Sequence, residues 1–150
     1  GTNYPVIKDI QKHVVAKGKT NMEDKSRIGS VYYNRGVVHG IITVEAIRKA
    51  QEKYGKGKPI TGEQMRWGIE NLNLDAKRLK ELGASDLMQP LKVSCKDHEG
   101  GGAVKFMQWD GKKWNVVSDW IASDQSIVRP MIEESAAGYA KEKGITPRDC

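Results

Sequence analysis

Tyr32-Tyr33-Asn34-Arg35 is the one place in this 150-residue chain where polar-aromatic side chains crowd beside an apolar segment. Arginine can hold a carboxylate through two parallel hydrogen bonds, and tyrosine offers a flat apolar wall with a polar tip. Such a set suits a small anionic or zwitterionic ligand, with Tyr32, Tyr33 and Arg35 as the contacts. The competing reading is a helix start, with tyrosine packed inside and arginine outside. A ligand site draws groups from several segments, and these four come from one.

Other chemistry is harder to assemble. His13, His39 and His98 are widely separated. His39 lies in an apolar helical stretch and reads as a packed or hydrogen-bonded residue. Asp97-His98-Glu99 is no triad, because sequence neighbours point in different directions. Gly100-Gly101-Gly102 lacks the Gly-Lys-Ser/Thr ending of a phosphate loop and runs into a strand, so it reads as a turn. Ser94-Cys95 has no nucleophile-elbow pattern. Glu133-Glu134 suits a helix start on electrostatic grounds alone. Nothing here argues for catalysis, a metal or a cofactor. Cys95 and the terminal Cys150 are the two cysteines. They suit either a clamp on the chain end in an oxidising compartment or two free thiols.

The formal charge is +6 and the pI about 9.3. A basic chain is compatible with nucleic acid, and a small nucleic-acid-binding domain is the alternative function. The lysines and arginines are scattered among acids, however, and the densest run, at 52–58, reads as a loop. No stretch is apolar enough to cross a membrane. Gly1-Thr2-Asn3 reads as the start of a processed or truncated product, with any signal peptide outside the chain.

Periodicity places the elements. Val6, Ile7, Ile10, Val14 and Val15 predict a helix over 4–17, stopped by Gly18. A long helix is expected over 30–54; Gly29, Gly36 and Gly40 suit close packing against another backbone, or a helix that begins later than the pattern suggests. Thr61-Gly-Glu-Gln64 has the form of a capping box and opens a helix over 62–72. Asp75 caps another over 76–82. Residues 87–95 read as extended, with Pro90 excluding a central sheet position. A last helix is expected over 128–143, with Pro130 in its first turn and Gly144 closing it.

Between them lies the strongest strand signal, 104–118, reversed at Asp110-Gly111. A four-residue loop pairs Trp109 with Trp114 and Met107 with Val116, giving two apolar pairs on one face. A lone hairpin is unstable in water, so it must lie against helices or join a sheet.

The succession Tyr32–Val37, Val44–Ala50, Ile60–Gln64 and Phe106–Trp114, with the tail Ile132–Ala137 and Gly144–Cys150, resembles the C-terminal part of bacterial ABC-transporter substrate-binding proteins of the Leu/Ile/Val type. The resemblance implies an α/β fold: residues 1–150 as one helix-rich fragment, with a hairpin, of a two-lobed type I periplasmic binding protein. It implies a periplasmic solute receptor for an importer of branched-chain or related amino acids or small carboxylates, without catalysis. The partners implied are that ligand, in a longer parent, and the transporter's membrane subunits, with no nucleic acid. Tyr32 falls near the family's aromatic ligand contact, with Tyr33 and Arg35 beside it. Export favours a Cys95–Cys150 disulfide, and the uncovered hairpin favours a homodimer of the fragment.

Overall fold

Ser30 sets the start of the longest helix. Its Oγ accepts a hydrogen bond from Tyr33 N at 3.3 Å, satisfying an N–H that has no partner within the helix. Helix α2 then runs Val31–Tyr54 and ends at Gly55, whose φ of 127° only glycine adopts readily. The structure, a computed structural model, describes residues 1–150. The chain divides into two compact units, Gly1–Gly100 and Gly101–Cys150.

In the first unit, α1 covers Pro5–Ile10 and passes into one π-helical turn, Gln11–Val15, before Gly18 stops it. Helix α3, Gly62–Glu70, opens on the expected capping box. Gln64 N donates to Thr61 Oγ1 at 3.3 Å, and Thr61 N donates to Gln64 Oε1 at 3.0 Å. Helix α4, Ala76–Glu81, is capped by Asp75, which accepts from Arg78 N at 2.7 Å.

Two-residue strands β1 (Asn73–Leu74) and β2 (Leu91–Lys92) pair antiparallel. Val93 N adds a bond to Leu72 O at 3.0 Å. β2 falls within the stretch 87–95 that reads as extended, whereas the two residues of β1 carry no readable alternation. The core gathers around it: Leu72, Leu74, Leu79, Ala84 and Met88, with Val6, Val38, Ile41 and Leu82 packed against them. Burying Leu74 and Leu79 stabilises by about 2 kcal/mol each.

Of the glycines expected to pack closely, Gly29 does so, at φ 82° and with an added Cβ 2.9 Å from the backbone of Gly1, whereas at Gly36 and Gly40 it would meet open space. A second close approach is at Gly68 of α3. A Cβ there would collide with the backbone carbonyl oxygen of Ala46 and come within 3.1 Å of Ala50 Cβ. Ala46 and Ala50 are fully buried. Small residues on both helices let α2 and α3 meet backbone to backbone.

In the second unit, β3 (Met107–Trp109) pairs with β4 (Trp114–Val116) in the expected register, Trp109 opposite Trp114 and Met107 opposite Val116. Asp110 Oδ1 accepts from Lys112 N at 2.8 Å and Lys113 N at 2.9 Å, and Gly111 takes φ 95°. These bonds hold the Asp110 carboxyl below its ordinary range, the Lys113 N–H and the Asn115 amide leading. The ribbon continues to a bridge between Val104 and Ile121. Ser118 Oγ accepts from Phe106 N at 2.9 Å, covering the ladder bond lost where the second strand bulges.

Helix α5 spans Gln125–Lys143 and starts earlier than the apolar pattern predicts, because Asp124 caps it at Ser126 N. Pro130 is therefore the sixth helical residue rather than a first-turn one. Gly144, at φ 62°, ends the helix as expected. No residue of 101–150 is buried, and β3–β4 joins no other strand. The expected cover for the hairpin is not supplied by a sheet of this chain. Both cysteines are disulfide-bonded, and since the chain has two, the bond joins Cys95 to Cys150.

Candidate functional site

An open cleft of about 980 Å³ lies in the first unit between α2 and the β1–α4 segment. At its base Arg78 grips Glu45 with both arms of its guanidinium. Nε lies 2.9 Å from one carboxylate oxygen and Nη2 2.8 Å from the other. The remaining nitrogen, Nη1, reaches Glu81 at 2.9 Å. The Glu45 side chain is 10% exposed and that of Arg78 30%, so water screens the pair in part. The hydrogen bonds from Arg78 hold the Glu45 carboxyl below its ordinary range, and Glu45, then Glu81, push the Arg78 guanidinium up.

Several other polar walls of the cleft are committed to the fold. Asp75 caps α4, Asn71 Nδ2 donates to Trp67 O at 2.8 Å, and Gln51 Nε2 donates to Lys58 O at 2.7 Å. Arg48 leans on Glu45 at 3.5 Å and Lys49 on Glu52 at 3.3 Å. The Arg78–Glu45 bonds brace α2 against α4. A smaller apolar groove of about 330 Å³ runs between α1 and α2, lined by Val6, Ile10, Val37, Ile41 and Leu82.

Tyr32, Tyr33 and Arg35 line neither concavity. They occupy the first turns of α2, where Tyr32 is 83% exposed, Arg35 exposed and Tyr33 half-buried. The buried member of the cluster is Asn34. Its Nδ2 donates to Gly1 O at 2.9 Å and Gly29 O at 3.5 Å, while its Oδ1 has no protein partner. Contrary to the apolar pattern, His39 is exposed, and so is His13. His98 pairs with Glu70 at 3.4 Å. Asp97 folds its own loop, accepting from Glu99 N at 3.0 Å and Gly100 N at 3.1 Å. No three His, Cys, Asp or Glu side chains gather as a metal site.

Glu45 and Arg78 stand 33 positions apart. Nothing local to either marks the other, so the fork is invisible without the packing of α2 on α4.

No family model matches the chain, and no curated protein does. Among solved structures it is similar to one described as the crystal structure of an ABC transporter permease from the Pseudomonas fluorescens group. Identity is 49% and the TM-score 0.92. The match covers 100% of this chain and 36% of that one, so the chain spans little more than a third of the protein it matches. No helix of this chain is long and apolar enough to cross a membrane.

This match corrects the expectation of a Leu/Ile/Val-type substrate-binding protein and of the receptor function that went with it. It lends nothing to the nucleic-acid alternative. The segments behind the resemblance have structural duties. Ile60–Gln64 is a capping box, Phe106–Trp114 a hairpin turn, and Val44–Ala50 the packing face of α2. Such features serve any protein with this local architecture, and their order does not assign a role. Over its whole length the chain is similar, in sequence and in fold, to part of a protein described as an ABC transporter permease.

Proposed function

We propose that this chain is part of a non-catalytic component of an ABC transporter, working with that transporter's other subunits. The observation that carries the reading is the 49% identity at a TM-score of 0.92 along the entire chain. The disulfide favours an oxidising, extracytoplasmic location, because such bonds persist outside the reducing cytosol.

The test is to tag the chromosomal gene that encodes this chain, cross-link cells lightly and purify the product. Recovery of a transporter ATPase subunit in fixed proportion, with loss of uptake of one solute class on deletion, is expected. A product that brings down no such subunit and whose deletion leaves transport intact would overturn the reading.

A further inference from the structure

The hairpin and α5 have little to hold them. Every buried residue of the protein lies within 1–100, and none within 101–150. A two-stranded ribbon is marginal by itself in water. Helix α5 is no sturdier. Pro130 has no N–H to donate back along the helix, and Gly138 adds the backbone entropy of glycine. A helix of 19 residues with no buried member lacks the packing that gives most helices their stability. Little burial therefore offsets the entropy of ordering this segment.

What remains is covalent. Cys95 belongs to the first unit and Cys150 ends the second, so their bond turns 101–150 into a loop closed at both ends on 1–100. The Cys95 end is firmly seated. Val93, two residues before it, is buried. Ser94 N donates to Asp97 O at 2.9 Å, Asp97 N to Ser94 Oγ at 3.1 Å, and Gly100 N to Asp97 Oδ1 at 3.1 Å. The other end is open, because Cys150 is exposed and lies beyond the helix end at Gly144. Closing a loop removes disordered alternatives from its chain. It thereby shifts local opening of the segment toward order without adding a contact.

We propose that the Cys95–Cys150 bond is a redox-operated clasp. Oxidised, it keeps the hairpin and α5 ordered. Reduced by a dithiol, it releases 101–150 as a disordered tail, while 1–100 keeps its fold because the core and the Glu45–Arg78 fork lie there. Exposed Cys150 is the point of attack. A thiolate of the dithiol bonds to the Cys150 sulfur, the bond to Cys95 breaks, and Cys95 leaves as a thiolate that takes up a proton. The second thiol of the dithiol, deprotonated, then displaces Cys150, which is protonated in turn. The dithiol is oxidised to a disulfide, and its two electrons reduce the clasp to two thiols. The proposal does not depend on the transporter assignment.

The experiment is hydrogen exchange on the full chain, oxidised and after dithiothreitol in native buffer, with thiols counted in each state. Native reduction should yield two thiols. Exchange in β3–β4 and α5 should then quicken by between about tenfold and about a thousandfold. Helices α2 and α3 should change little, and reoxidation should restore the slow pattern. Cys150→Ser should show the fast pattern without reductant, and dithiothreitol should alter it no further. Four results would each overturn the proposal. Exchange in 101–150 stays the same on reduction, or in Cys150→Ser. It is already fast in the oxidised protein. Helices α2 and α3 open along with 101–150. Or the bond yields to dithiothreitol only in denaturant.

Discussion

Glu45 on α2 and Arg78 on α4 meet fork to fork, with two charge-assisted hydrogen bonds of 2.8 and 2.9 Å. The pair ties the long helix to the element that follows β1. Removing the guanidinium leaves a nearly buried carboxylate with only Arg48 at 3.5 Å. Arg78→Ala should therefore destabilise the protein by about 1–3 kcal/mol. Arg78→Lys should recover little, because an ammonium cannot hold both oxygens in parallel. Urea unfolding of the three proteins checks this, and an unchanged midpoint in Arg78→Ala would sink it.

The same pair sets an acid limit. Arg78 lowers the Glu45 pKa in the folded protein, so the unfolded chain takes up that proton at higher pH. The stability it contributes is complete above the unfolded glutamate pKa of about 4.3, and is lost as pH falls through the lower folded value. Glu45→Gln should be less stable at neutral pH and show a shallower fall on acidification. Midpoints measured from about pH 6 down to about pH 3 should converge if the sign is right.

Glycines offer a test of opposite signs. Helix propensity alone predicts that Gly→Ala inside a helix stabilises by about 1 kcal/mol. Gly36→Ala and Gly40→Ala should do so, since nothing lies within reach of the new methyl. Gly68→Ala should instead destabilise by about 1–3 kcal/mol, through overpacking against Ala46 and Ala50. Thermal melts that moved all three variants the same way would show that the α2–α3 seam can yield.

The Cys95–Cys150 bond should leave no thiol to titrate in denaturant without reductant. Breaking it with Cys150→Ser should cost up to about 4 kcal/mol in the chain-entropy model for a loop of this length. Two reactive thiols in the unmodified protein would contradict the bond.

What the sequence announces here is local. Thr61 and Gln64, Asp75, Gly18 and Gly144 set helix ends through chemistry that acts over a few residues, and the hairpin register follows from two apolar pairs. The misses are long-range. The β1–β2 sheet needs Leu72 and Val93 brought together, and the Glu45–Arg78 fork needs two helices packed. Asp124 starts α5 early through a polar cap that apolar periodicity does not register. Tyr32 and Arg35 carry residue types suited to a ligand, but being chain neighbours on one exposed helix turn they converge with nothing from another segment.

The contact between Gly68 and Ala46 has a consequence for how this protein can change over generations. When two side chains compete for space, a second substitution can trim the neighbour and restore the fit. At position 68 the obstacle is a peptide oxygen, which every residue at position 46 would carry. Trimming the side chain at position 46 therefore cannot relieve the clash, and a side chain at 68 is accommodated only as far as the α2 and α3 backbones move apart.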